Sequence, residues 1–145
     1  MMTDTISPDI LQGWKILVID DEFDSLNVAQ LVIGHYGAEV LTAINGKEGL
    51  ALAKEHKGDL KFILSDLSMP VMDGWEFLYE IKSDAHTAEI PVIALTAHTM
   101  QGDRERALSA GFHNYLTKPF TPKKLIRDLV NLLVDIPELS SLLNN

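Results

Sequence analysis

Short apolar runs alternate with stretches of helical spacing along the chain. Residues 15–19, 62–64 and 92–95 form runs that are almost continuously apolar. Such runs are typical of strands buried on both faces of a parallel sheet, because an exposed face would require polar residues at alternate positions. Residues 39–43 and 114–117 are weaker candidates, which we assign as the second and fifth strands. The pattern therefore predicts five strands.

Helical stretches fill the gaps between these strands, because apolar residues recur there every three or four positions. The positions are Leu26, Ala29, Val32 and Ile33; Leu50 and Ala53; Trp75, Leu78 and Ile81; 104–110; and Leu125, Leu129, Leu132 and Leu133. Pro122 suits the first turn of the fifth helix, and Gly37, Gly58 and Gly111 each follow a helical stretch where a C-terminal cap is expected. The repeated order of strand and helix predicts an α/β fold, a doubly wound five-stranded parallel sheet with helices on both faces.

The chain length of 145 residues fits one domain. The pattern places that domain at residues 14–134. Residues 1–13 are expected to form a loose N-terminal extension and residues 135–145 a short C-terminal tail. Within the tail, Pro137 is expected to start a short helix that carries Leu139, Leu142 and Leu143.

Composition excludes several classes of function. The 12 basic and 21 acidic residues give a formal charge of −9, which argues against a nucleic-acid-binding face, because such a face clusters Lys and Arg. The absence of cysteine excludes disulfides, thiolate chemistry and thiolate zinc sites. No apolar run exceeds four residues, so we expect neither a membrane span nor a secretory segment, and we expect a cytoplasmic protein.

Polar residues follow four of the five predicted strands. Three acids occupy positions 20–22 after the first strand, and Asp66, Thr96 and Lys118 come at the ends of the third, fourth and fifth. Taken alone, an acid or a threonine after a strand is usually a turn or cap residue, and a lysine before a proline is usually just exposed. The carboxyl ends of parallel strands, however, meet at one edge of the sheet, where ligands bind. The coincidence at four strand ends favours a shared site.

The residue types at this edge favour phosphoryl chemistry. Clustered carboxylates repel one another unless a cation joins them, and Mg²⁺ commonly binds one or two carboxylates together with water and phosphate. Lys118 can neutralise a phosphoryl oxygen, the Thr96 hydroxyl can donate to another, and a carboxylate can itself be the nucleophile. The acidic loop at 20–24 argues against nucleotide or flavin binding, since it would repel a phosphate in the absence of metal.

The segments 16–22, 64–74, 93–97 and 115–120 resemble the response-regulator receiver domain of two-component signalling, of the chemotaxis-regulator type. The resemblance covers about residues 14–134. It implies a flavodoxin-like receiver fold that accepts a phosphoryl group from a histidine kinase or histidine phosphotransfer protein and then changes its partner binding. It also implies Mg²⁺-dependent self-phosphorylation and autodephosphorylation rather than any other enzymatic activity.

The same resemblance assigns roles around the phosphoacceptor, which is Asp66. Asp21 and Asp66 would ligate Mg²⁺ directly, with the backbone carbonyl of Ser68 as a third ligand. Asp20 would be the outer-shell acid that orients metal-bound water. Lys118 would bind the phosphoryl group.

Further roles concern switching. Thr96 resembles the switch hydroxyl of the family and Tyr115 the aromatic residue that turns inward on activation. The alternative for Tyr115 is a core-edge aromatic with a solvated hydroxyl. Pro119 resembles the proline that follows the lysine through a cis peptide. Ser68 and His98 occupy positions that tune the lifetime of the phosphoryl group in the family, unless both merely face solvent.

The resemblance also points to the surface of the fourth helix, fifth strand and fifth helix for an unknown downstream target or for a homodimer. Lys123, Lys124 and Arg127 could supply polar contacts there, or could form an ordinary solvated helix end. The sequence leaves open the cognate kinase, the target, and whether this receiver stands alone or belongs to a longer protein.

Two other functions compete with the receiver. A phosphohydrolase of the haloacid dehalogenase type would need a second acid two residues after Asp66, where Ser68 stands, and also a cap for its substrate. A degenerate receiver that acts only as a scaffold would not need the complete set of acids, Thr96 and Lys118. We therefore favour the phosphorylated signalling module.

Overall fold

The computed structural model describes residues 6–97 and 101–143 and contains one five-stranded parallel sheet. Its strands are β1 (Lys15–Ile19), β2 (Glu39–Ala43), β3 (Leu60–Asp66), β4 (Val92–Thr96) and β5 (Asn114–Thr117). They lie in the order β2-β1-β3-β4-β5, and all four neighbouring pairs are parallel. The predicted α/β architecture is confirmed.

In the described part of the chain, four helices connect consecutive strands, and two more follow the last strand. They are α1 (Phe23–His35), α2 (Gly46–Glu55), α3 (Gly74–Ser83), α4 (Gln101–Ala110), α5 (Pro122–Val134) and α6 (Pro137–Ser140). A short helix does begin at Pro137 as predicted, but it ends at Ser140, so it contains Leu139 and not Leu142 or Leu143. Over the described residues, none of these helices has both the length and the apolarity that a membrane crossing requires.

The sheet is covered on both faces, as continuous apolar strands require. Successive side chains of a strand point to opposite faces, so each strand contributes to two cores. Ile16 and Val18 of β1 pack in one core with residues of α1 and α5. Leu17 and Ile19 pack in the other with residues of α2 and α3. Packing on both faces fixes the positions of the strand ends, and therefore also the positions of the residues that directly follow the strands.

Three helices that start at the carboxyl edge of the sheet have a side chain that caps their N-terminus. The side chains of Asn45, Asp73 and Thr121 accept hydrogen bonds from the backbone N–H groups of the third residues of α2, α3 and α5. Each satisfies a donor that the first helical turn leaves unpaired. The segment 73–74 is therefore the start of a helix.

The N-terminal segment differs from the expectation. Residues 1–13 were predicted to be loose, and for the described part this is wrong, because Ile10 and Leu11 are fully buried in the core beside α1 and α5. The backbone N–H of Leu11 also donates to the carbonyl oxygen of Tyr36 at 3.0 Å. Two adjacent apolar residues in a short polar segment give no periodicity, which explains the error. The boundaries at 14–134 stay a prediction.

Two of the three predicted glycine caps have the expected geometry. Gly37 and Gly111 have φ angles of +104° and +119°, and each follows a helix. Such angles favour glycine, which lacks the β-carbon that would clash. Gly58 is not among the residues with positive φ. Helix α2 ends at Glu55, and its C-cap residue His56 donates its backbone N–H to the carbonyl oxygen of Leu52. The cap predicted at Gly58 is wrong.

Candidate functional site

The polar residues predicted to converge do lie together at the carboxyl edge of the sheet. Asp66 and Thr96 are the last residues of β3 and β4, while Asp20 and Lys118 directly follow β1 and β5. Asp20, Asp66, Thr96 and Lys118 are buried, whereas Asp21 is exposed. A cavity of about 270 Å³ opens here, lined by Asp21, Glu22, Asp66, Leu67, Ser68, Thr96, Ala97 and Lys118.

Lys118 is the centre of the charge arrangement. Its Nζ donates to the two carboxylate oxygens of Asp20 at 3.0 and 3.2 Å and to Oδ2 of Asp66 at 3.1 Å. It also donates to Oε1 of Glu22 at 2.6 Å, the shortest of these contacts. An ammonium group has three donors, so three carboxylates use its full capacity. Buried charges of this kind are tolerated only when they are paired.

Burial and mutual repulsion shape the protonation of the acids. Loss of hydration raises the pKa of Asp20 to about 6, although the N–H of Glu22 and the ammonium of Lys118 oppose the shift. Loss of hydration and the nearby Asp66 charge also raise the pKa of Asp21. Burial alone would lower the pKa of Lys118, but its bonds to Glu22 and Asp20 outweigh burial and raise it. The site thus holds excess negative charge that a cation would relieve.

The donor set fits a hard divalent cation. Carboxylate oxygens of Asp20, Asp21 and Asp66 lie within 4.8 Å of one another. Two oxygens on opposite sides of one Mg²⁺ lie about 4.2 Å apart, since each Mg–O bond is about 2.1 Å. Two carboxylates can therefore bind one ion directly while the third contacts it through water. Oxygen ligands without His or Cys are the set that Mg²⁺ prefers.

Local backbone contacts hold Asp66 in place. Its Oδ1 accepts the backbone N–H of Ser68 at 3.3 Å, and its Oδ2 faces Lys118. Behind it, α3 begins so close that a β-carbon at Gly74 would overlap the carbonyl oxygen of Asp66. Glycine at this position is therefore a steric requirement of the site. The carboxylate is fixed at the cavity wall.

The two residues predicted to switch lie on neighbouring strands. Thr96 is buried and lines the cavity, and Tyr115 is half-buried on β5. The guanidinium carbon of Arg104 lies 5.8 Å from the centre of the Tyr115 ring, a cation–π contact from α4. The Lys118–Pro119 peptide is cis, as the resemblance implies. Ser68 is exposed, and His98 lies outside the described residues.

The basic residues of α5 are partly neutralised within their own helix. Lys124 Nζ lies 3.0 Å from Oδ2 of Asp128, and Arg127 Nε lies 3.6 Å from Oδ1 of the same residue. Lys123 and Arg127 are exposed. These contacts leave the first turns of α5 less basic than the sequence alone indicates.

Sequence reasoning missed two participants. Glu22 was counted among the three acids but was given no role, although it makes the shortest contact of Lys118. Arg104 was assigned only to a helix, although it contacts the ring of Tyr115. Glu22 and Lys118 are 96 positions apart, so no local pattern joins them. The third acid after the first strand was the available signal.

Comparison with known proteins identifies the family. Residues 16–130 match the model of the response regulator receiver domain. The chain is 40% identical over 117 residues to a 14.6 kDa protein of Leptolyngbya boryana, covering 81% of this chain and 88% of that one. Other curated relatives are longer, and this chain spans 50%, 57% and 60% of three of them.

Solved structures agree. The chemotaxis response regulator CheY4 of Vibrio cholerae superposes with a TM-score of 0.77 at 31% identity, over 83% of this chain and 98% of that one. The receiver domain of the sensor histidine kinase PA1611 from Pseudomonas aeruginosa, described with a magnesium ion in its active site cleft, gives 0.73 at 33% identity, over 83% and 97%. The chain therefore belongs to the response regulator receiver domains, the signalling domains of two-component systems.

Proposed function

We propose that Asp66 is the phosphoacceptor of this receiver domain. The observation that carries the proposal is the position of its carboxylate, which is buried at the end of β3, faces the cavity and contacts Lys118 at 3.1 Å. A nucleophile fixed in this way needs little reorganisation to react. The neighbouring ammonium neutralises charge on the incoming phosphoryl oxygens.

The reaction requires no proton from the protein. An Asp66 carboxylate oxygen attacks the phosphorus atom of the donor, the bond from phosphorus to the leaving group breaks, and the leaving group keeps the electron pair. With acetyl phosphate the leaving group is acetate. In signalling, the donor is proposed to be the phosphohistidine of a histidine kinase or phosphotransfer protein.

The acids beside Asp66 are proposed to hold Mg²⁺. Asp21 and Asp66 would bind the ion directly together with the backbone carbonyl of Ser68, and Asp20 would contact it through water. Bound there, Mg²⁺ would supply positive charge against the phosphoryl oxygens. The separation of the carboxylate oxygens and the raised pKa values of Asp20 and Asp21 support this assignment.

Phosphorylation is proposed to change the surface made by α4, β5 and α5. Thr96 would donate its hydroxyl to the phosphoryl group, and Tyr115 would then turn inward. Support comes from the position of Thr96 on the cavity wall and of Tyr115 on the adjacent strand. The phosphoryl group would favour one of two arrangements through its differential contacts. A downstream protein or a second copy of the chain would bind that surface.

Labelling with acetyl phosphate and Mg²⁺ tests the acceptor. Wild type should gain one phosphoryl group by intact-mass spectrometry, and Asp66→Asn should gain none, because the amide is a poor nucleophile of nearly the same shape. Asp73→Asn is the matched control, since Asp73 is an exposed N-cap and Asn caps a helix equally well. Equal labelling of wild type and Asp66→Asn would refute the assignment. No labelling of wild type would favour the scaffold.

A further inference from the structure

Glu22 occupies an unusual place for an exposed acid. It is the N-cap residue of α1, yet its side chain makes no capping hydrogen bond. Its carboxylate instead contacts Nζ of Lys118 at 2.6 Å. Glutamate is also a poor N-cap compared with Asp, Asn, Ser or Thr. The local structure of α1 therefore does not account for this side chain, and its contact with Lys118 does.

The three carboxylates around Lys118 differ in how easily they can move away from its ammonium group. The side chain of Asp20 is fully buried and that of Asp66 is 8% exposed, whereas that of Glu22 is 63% exposed. Moving Asp20 or Asp66 away from the ammonium would leave a buried charge without its partner, which is costly. Glu22 can rotate into water and be hydrated at once. It is the replaceable partner of Lys118.

A phosphoryl group on Asp66 would compete with Glu22 for the same ammonium. Asp20, Glu22 and Asp66 already use the three donors of Lys118. Glu22 also lines the cavity that contains Asp66 and Thr96. Its carboxylate and the phosphoryl oxygens would both be negative and would both lie beside Nζ. Like charges at such distances repel, most strongly where water is scarce.

We propose that Glu22 is an exchangeable counter-ion of Lys118, which occupies the ammonium in the resting domain and leaves when the phosphoryl group arrives. Glu22 is thus a positioning residue that acts through Lys118. It keeps the ammonium of Lys118 in place before the reaction, and it makes the binding free energy of any anion that enters the cavity less favourable. This inference rests on the proposed role of Asp66.

The proposal is tested with Glu22→Gln, which keeps the shape of the side chain and removes its charge. Beryllofluoride, an acyl-phosphate mimic, is titrated at saturating Mg²⁺, and binding is followed by amide chemical shifts. Glu22→Gln should lower the half-saturating concentration by about three- to tenfold, because no charge has to be displaced. The second-order rate constant for labelling by acetyl phosphate should rise by a similar factor.

Asp24→Asn is the matched control. Asp24 is an exposed acid in the first turn of α1, and its substitution removes the same charge two positions from Glu22. A long-range charge effect would appear in both variants, whereas counter-ion exchange appears only in Glu22→Gln. Asp24→Asn should change both quantities by less than about twofold. A melting curve without ligand checks that each variant is folded.

Two results separate this inference from the proposed function. Suppose that wild type binds beryllofluoride and that Glu22→Gln binds it equally or more weakly. Counter-ion exchange is then wrong, and Lys118 contacts the mimic with the N–H that it otherwise donates to Asp66. If neither wild type nor Glu22→Gln responds to beryllofluoride or acetyl phosphate, the acceptor assignment itself fails. Asp66→Asn, measured in the same experiments, gives the beryllofluoride response and the acetyl phosphate labelling of a domain that lacks the nucleophile.

Discussion

Arg104 of α4 lies over the ring of Tyr115 of β5, with 5.8 Å between the guanidinium carbon and the ring centre. Two positions further, Arg106 lies 4.2 Å from the ring centre of Trp75 on α3. Among residues 104–110 of α4, Ala107 alone is buried. An element with so little buried apolar surface depends more on such contacts, each worth about 0.5–1 kcal/mol at exposed sites. The contacts attach α4 to the strand on one side and to α3 on the other.

Arg104→Ala should favour the phosphorylated arrangement. The contact with Arg104 stabilises Tyr115 in its present position, and the proposed switch turns Tyr115 inward. Removing the contact should therefore tighten beryllofluoride binding by about two- to fivefold. Arg106→Ala is the control, because it removes a similar contact from the same helix but leaves Tyr115 untouched. Equal tightening in both variants would show that loosening α4 alone is sufficient.

Mg²⁺ should stabilise the fold through Asp21. A ligand present at ten times its dissociation constant stabilises the native state by about 1.4 kcal/mol. Asp21→Asn should remove most of the rise in melting temperature that millimolar Mg²⁺ produces. Without metal the variant should be at least as stable as wild type, since one of the repelling acids is gone. Asp24→Asn is the control, and a Mg²⁺ response that survives in Asp21→Asn would move the metal to other ligands.

Mg²⁺ affinity should fall as the pH is lowered. The pKa of Asp20 is raised to about 6 by burial, and that of Asp21 is raised as well, so protons compete with the ion for these acids. At pH 7 Asp20 is mostly ionised, and at pH 5 it is mostly protonated. The apparent dissociation constant should therefore be about tenfold larger at pH 5 than at pH 7. Calorimetric titrations at both pH values measure the ratio, and equal constants would exclude coupling to Asp20.

The sheet could be predicted from sequence because its physical cause is local. A strand buried on both faces is apolar at nearly every position, and β1 after Lys15 and β4 before Thr96 show this directly in their residues. The N-terminal segment could not be predicted in the same way. Ile10 and Leu11 are buried because of what they meet across the fold, beside α1 and α5, and two apolar residues do not form a period.

For the candidate site too, one part could be predicted from the sequence and another could not. The convergence of Asp20, Asp66, Thr96 and Lys118 follows from the rule that parallel strands end at one edge. The partition of one ammonium among three carboxylates does not follow from any such rule, because it depends on rotamers and distances across the cavity. Sequence therefore predicts which residues meet, and the structure adds the contact between Glu22 and Lys118 on which the proposed counter-ion exchange rests.

Val71 should be a site where a substitution increases stability. Its φ angle of +72° lies in the left-handed region, which β-branched residues rarely adopt. The residue is 75% exposed in the loop between β3 and α3, so it contributes little packing that would offset the strain. Val71→Asn should raise the free energy of unfolding by about 1 kcal/mol, because asparagine tolerates this conformation. For a domain of this size, that corresponds to about 3 °C in melting temperature.

Val134→Asn is the control for this change. Val134 is also exposed, at 53%, but it ends α5 and is not among the residues with positive φ. The same substitution there relieves no backbone strain, and Val and Asn have similar helix propensities, so no gain is expected. Thermal unfolding without Mg²⁺ compares the two variants with wild type. A Val71→Asn variant no more stable than Val134→Asn would mean that the loop carries no strain for asparagine to relieve.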